Sequence, residues 1–194
     1  MGDAMEPAKQ GEFDGACGLY SIGNALSFMF PDRGKDAVFY EVFRQYHQLY
    51  GDSQPLVHGL YRSRLNEILK ASVAELGLPC TIYRPYWAPT VKPSLSGFKE
   101  TLIGGVGAGL CIIGYDYCRN DEDDYYSHWT VITRVTDRSM KTLDSSSEPD
   151  WIPFSKCRMW DERGRHRSRP YKLSHTDTFL LSTASDVASV EGAA

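Results

Sequence analysis

The sequence has five cysteines and five histidines, yet no CxxC pair and no Cys/His cluster at metal-ligand spacing. A zinc site is therefore not expected. No apolar run is long enough to span a bilayer, because polar residues or glycine interrupt each candidate, and no membrane partner is expected. Met1 to Gln10 hold no apolar core flanked by positive charge, so a classical secretory signal is not expected. Without an export signal, the simplest expectation for Cys17, Cys80, Cys111, Cys118 and Cys157 is reduced thiols in the cytosol. Basic excess is missing too. The formal net charge is -4, which argues against nucleic acid as the main partner. No internal repeat or linker marks a second domain.

What remains is an ordinary globular composition. The chain has 194 residues, 42% hydrophobic and 24% charged, enough for one domain with a sizeable core. A single domain over 1–194 is expected, with residues 1–9 as a flexible leader and 185–194 as a tail.

One stretch carries chemistry: Phe13-Asp14-Gly15-Ala16-Cys17-Gly18-Leu19-Tyr20-Ser21. It places a cysteine between small residues, directly ahead of a helical pattern in which Leu19, Ile22, Leu26 and Met29 share one face. Small neighbours keep the approach to the thiol open. A thiol at a helix N-terminus meets the positive end of the helix dipole, which favours the nucleophilic thiolate.

The spacing predicts this helix over about 17–30, broken by Pro31-Asp32-Arg33-Gly34, and a second with Val38, Phe39, Val42, Phe43, Tyr46 and Leu49 inward. A third is expected over about 59–76, stopped by Gly77. Cys80 to Arg84 reads as a short strand, and Ser94 to Val106 as a further helix. Gly104-Gly105-Val106-Gly107-Ala108-Gly109 superficially resembles a phosphate-binding loop, but no P-loop Lys-Ser/Thr follows; a turn or loop into a core strand is expected.

Leu110 to Tyr115 is a central strand, and Cys80 and Cys111 read as small buried hydrophobes. Asn120 to Asp124 reads as a solvated hairpin tip, or else as a rim attracting a basic partner; it lacks the glycine and terminal glutamate of an EF-hand. His128 to Val135 and Met140 to Asp144 form a hairpin about Asp137-Arg138-Ser139. A further strand is expected between Trp151 and Trp160, a charged loop over Asp161 to Arg169, and a last strand over Thr178 to Ser182. Helices first and a mostly antiparallel sheet after make the fold class α+β.

A catalytic thiol needs a base for its proton, and the base needs a third group to fix its ring. His128, at the head of a strand, is expected at a sheet edge facing a cleft, and Asp144 on the hairpin mate returns beside it. Each has a plainer reading: a structural histidine, and an aspartate that begins a turn with Ser145-Ser146-Ser147.

With these residues in view, the chain resembles papain-like cysteine peptidases, in particular the compact C39-like group of double-glycine peptidases. Cys17-Gly18 heading a helix is similar to the nucleophile motif of that group. Ser127-His128-Trp129-Thr130-Val131-Ile132 resembles its histidine strand, and Leu143-Asp144-Ser145-Ser146 its Asp/Asn strand. The resemblance covers residues 8–183, with specific matching confined to these three segments. It implies a Cys17–His128 thiolate–imidazolium pair, Asp144 orienting His128, and no cofactor. It also implies an oxyanion hole formed by the Cys17 N–H and an upstream glutamine amide. Gln10 is the candidate, seven residues before Cys17 (17 − 10 = 7). That is one residue further than the family spacing, a difference that a bulge among Gly11, Glu12 and Phe13 takes up.

The resemblance thus implies hydrolysis of a peptide bond in a protein or peptide substrate, with cleavage after small residues such as Gly-Gly. Similar folds also serve as effectors delivered into other cells. That analogy implies a cognate inhibitor, or immunity, protein as a second partner, and a delivered rather than cytoplasmic site of action. Two alternatives share the pattern: a transglutaminase- or acyltransferase-like enzyme passing the acyl group to an amine, and a non-catalytic papain-fold binding module with Cys17 merely buried.

Overall fold

The computed structural model describes residues 7, 15–51, 58–88, 90, 92–118, 125–146, 149–162 and 168–183. The fold is α+β and divides into two compact units. One comprises Met1–Leu78 and Leu143–Glu148; the other comprises Pro79–Thr142 and Pro149–Ala194.

In the first unit the helical periodicity of the sequence produces α1 (Cys17–Met29), α2 (Lys35–Leu49) and α3 (Arg62–Glu75). Burial of α1 extends well beyond one apolar stripe, taking in Gly18, Ser21, Gly23, Asn24 and Ser27 with Leu19, Ile22 and Leu26. Small residues explain this wider burial. A Cβ on Gly23 would lie 2.6 Å from the Phe39 ring, and one on Gly18 would lie 2.8 Å from Leu60 Cδ1. Absent those side chains, neighbouring groups close directly onto the helix backbone. Tyr20 meets Phe39 and Phe43 edge-on.

Pro31–Arg33 forms a single 3-10 turn, and Gly34 at φ 77 redirects the chain into α2. Arg44 of α2 grips Glu41 at 2.8 Å and Glu75 of α3 at 2.9 Å, which ties the two helices together. α3 ends as its sequence signals. Gly77 takes φ +58, and the Gly77 and Leu78 N–H groups donate to the Ala74 and Val73 carbonyls, a Schellman closure.

The second unit is built on β1 (Cys80–Tyr83), β2 (Gly109–Cys118), β3 (Tyr125–Val135), β4 (Ser139–Leu143), β5 (Trp151–Pro153), β6 (Cys157–Met159) and β7 (Tyr171–Thr183). The order is β1-β7-β2-β3-β4-β5, with β6 added parallel to β7. The last residue of β4, Leu143, belongs with the first unit. The final strand is far longer than its apolar segment suggests. Residues 175–177 bulge between the pairs Ile113–Thr178 and Gly114–Ser174, which hides the continuity of β7 from a period-two reading.

One sheet face packs Cys111, Ile113, Tyr115, Ile132 and Leu173 with Phe98 and Leu102 of α4 (Leu95–Ala108). The Ser94 hydroxyl caps α4 by accepting from the Gly97 N–H at 3.2 Å. The glycine-rich stretch is a correction to the sequence reading, since Gly104 to Ala108 continue the helix instead of forming a loop. A Cβ at Gly105 would lie 2.6 Å from Leu180 and 2.8 Å from Cys111 Sγ. Glycine is needed there for close helix-to-sheet approach. Among the described residues, no helix is long and apolar enough to cross a membrane.

Candidate functional site

Cys17 is the first residue of α1 and only 5% exposed. Its Sγ lies 3.9 Å from the Gly15 carbonyl, a weak S–H donation. Ala16 precedes it at the cap position without a side-chain cap bond, and the first turn has no acidic residue. The positive end of the helix thus faces no carboxylate from its own turn. Gly18 is glycine for packing against Leu60, a reason separate from access to the thiol.

Burial pushes the Cys80 thiol up to about 11 and the Cys157 thiol up to about 12, and it drives Cys111 up as well. Cys111 is fully enclosed, as its strand pattern suggests, whereas Cys80 is only half-buried.

His128 lies in the second unit and is 4% exposed. Two details correct the sequence reading. β3 opens at Tyr125, so His128 is its fourth residue, and β3 runs between β2 and β4, so the strand is interior to the sheet. The extension is explained by Tyr125, Tyr126 and Ser127, which pair with Cys118, Tyr117 and Asp116. The His128 ring packs edge-on to Tyr115 at 5.5 Å and to Tyr126 at 6.4 Å. Tyr171 and Tyr117 continue this aromatic group, 4.9 Å apart. Ring packing on two sides restricts how the imidazole can turn.

Asp144 follows β4 directly and is 5% exposed. It belongs to the first unit, the same unit as Cys17. Its Oδ1 accepts from the Ser146 N–H at 2.8 Å and from the Ser146 hydroxyl at 2.7 Å. Asp144 therefore does form a local turn, the plainer of the two sequence readings, and its carboxylate is held in place by it. Gln10 lies outside the described residues, as do the acidic run 120–124 and residues 163–167 of the charged loop.

His175 and Asp116 are among the buried polar groups that the sequence did not single out. His175 sits on the β7 bulge, 5.8 Å from the Tyr86 ring. Asp116 on β2 accepts from the Ser127 hydroxyl at 2.7 Å. Burial raises its carboxyl above the ordinary value, Asp177 adds to the rise, and Ser127, Lys172 and Arg158 oppose it. The only available signal for Asp116 was an acid inside an apolar run. Among the described residues, no group of three or more His, Cys, Asp or Glu is placed to hold a metal ion. No protein-family model matches the chain, and no curated protein sequence matches it.

Proposed function

We propose that this protein is a papain-like cysteine peptidase, of C39-like type, that hydrolyses a peptide bond in a protein substrate. The observation that carries the reading is Cys17 itself. It is a cysteine at the first position of a largely buried helix whose first turn has no acidic side chain and no side-chain cap. The fold class and the chain order of cysteine, histidine and aspartate agree with it.

In the proposed reaction the Cys17 thiolate adds to the scissile carbonyl carbon, and the resulting oxyanion accepts from the Cys17 backbone N–H and the Gln10 side-chain amide. Collapse of this intermediate breaks the C–N bond, while the His128 imidazolium gives its proton to the departing amine. Neutral His128 then takes a proton from water, which attacks the thioester and releases the acid and the thiol. Asp144 holds the imidazole tautomer and orientation throughout.

Comparing a proteome incubated with the wild-type protein and with Cys17→Ala tests this directly by mass spectrometry. New N-termini dependent on Cys17 are expected, and enrichment after Gly-Gly would define the cleavage preference. Isopeptide mass shifts in their place would assign acyl transfer. His128→Ala is expected to abolish turnover as fully as Cys17→Ala, with both variants still folded, and Asp144→Ala to reduce it less. Near pH 7.5, iodoacetamide should label Cys17 at least about ten-fold faster than Cys80 or Cys157. Equal labelling, or full turnover in either of the first two variants, refutes the assignment.

A further inference from the structure

We infer that Ser146 is a positioning residue for the Asp144 carboxylate, an inference that rests on the peptidase reading above. Ser146 delivers two donors, its N–H and its hydroxyl, to one oxygen of Asp144, at 2.8 and 2.7 Å. The backbone bond alone suffices to close an aspartate turn. The hydroxyl bond adds nothing to the path of the chain and instead fixes the plane of the carboxylate.

That matters because the terminal torsion of aspartate is broad, so a carboxylate is not aimed by its rotamer alone. With Oδ1 tethered twice, rotation about the Cβ–Cγ bond is blocked and the direction of Oδ2 is set. Charge-assisted bonds such as these are stronger than neutral ones. Asp144 and Ser145 are both buried, so the turn is held within its unit. A carboxylate aimed in advance can stabilise an imidazolium without first paying to reorganise.

The consequence is measurable without a substrate. Under the peptidase reading, Cys17 is reactive at acidic pH only because the His128 imidazolium stabilises its thiolate. Loosening Asp144 weakens that imidazolium, so the thiolate fraction at low pH falls. Ser146→Ala keeps the backbone donor and removes the hydroxyl, while Ser146→Thr keeps both.

The experiment follows iodoacetamide alkylation of Cys17 by peptide-resolved mass spectrometry from pH 5 to 9 on the full chain. Ser146→Ala is expected to slow labelling near pH 5.5 by roughly five-fold, the effect of losing one hydrogen bond, with little change near pH 9. Ser146→Thr is expected to restore the wild-type profile. A Ser146→Ala profile that superimposes on wild type overturns the inference, as does a uniform slowing at every pH that threonine fails to rescue. Ser146→Gly gives the same comparison where thermal melts show the alanine variant to be unfolded. His128→Ala separates the two levels. If it removes the acid-side reactivity while Ser146→Ala does not, this inference alone falls; if it leaves the Cys17 profile unchanged, the peptidase reading falls with it.

Discussion

Asp116 and Asp144 are both nearly buried aspartates, yet their surroundings set them different tasks. Asp144 collects two donors from one serine on a single oxygen. Asp116 has the Ser127 hydroxyl, but burial dominates and raises its carboxyl above the ordinary value. A carboxyl that titrates higher when folded binds its proton more tightly in the folded state. Its stabilising contribution is complete below the unfolded value and is lost as pH rises through the folded one. Asp116→Asn is therefore expected to raise the melting temperature relative to wild type at pH 7 and to lose that advantage near pH 3. Thermal melts at the two pH values check this, and an advantage that does not change with pH would contradict it.

Histidines illustrate what is hidden at this scale. His128 was legible because a β-branched strand follows it. His175 was not, because the bulge at residues 175–177 interrupts the alternation that would have marked a strand. The sequence also could not reveal that four tyrosines gather near His128. Tyr115, Tyr117, Tyr126 and Tyr171 come from three strands, brought together only by pairing.

At the scale of elements, local signals were legible wherever local chemistry decides the outcome. α1 starts at Cys17, α3 closes on Gly77, and the turn before β4 falls at residues 136–139, all for reasons visible within a few residues. The glycine-rich end of α4 misleads because its glycines are a tertiary requirement. Gly105 is pressed against Leu180 and Cys111, whereas Gly104 and Gly107 would meet nothing within 4 Å of a new Cβ.

The two kinds of glycine should respond oppositely to alanine. Gly104→Ala and Gly107→Ala are expected to stabilise the protein by about 0.5–1 kcal/mol each, through better helix propensity and a less flexible unfolded chain. Gly105→Ala is expected to cost about 1–3 kcal/mol through overpacking. Denaturant midpoints measured for the three variants distinguish this pattern from a loop, in which position 105 would not stand apart.

For the whole molecule, the informative feature is the discontinuity of the first unit. The chain leaves it at Pro79, returns for Leu143–Glu148, and leaves again at Pro149. Leu143, Asp144 and Ser145 are buried, so residues 1–78 lack part of their own core. A fragment of residues 1–78 is expected to show no cooperative thermal transition, while the full chain does; circular dichroism of both decides it. The sequence showed helices followed by strands, with no sign that the six residues from the end of β4 onward, 143–148, belong with the helices, because such membership is set by contacts distant along the chain.

This arrangement also orders events in time. During synthesis the Cys17 thiol is made 127 residues before Asp144 (144 − 17 = 127). At about 5–20 residues per second, that interval is roughly 6 to 25 s. Throughout it the helical unit is without its returning segment, so under the peptidase reading a nascent chain has not yet completed the set of Cys17, His128 and Asp144. On that reading the route of the chain works as a built-in delay, leaving the thiol without Asp144 until residue 144 has been added.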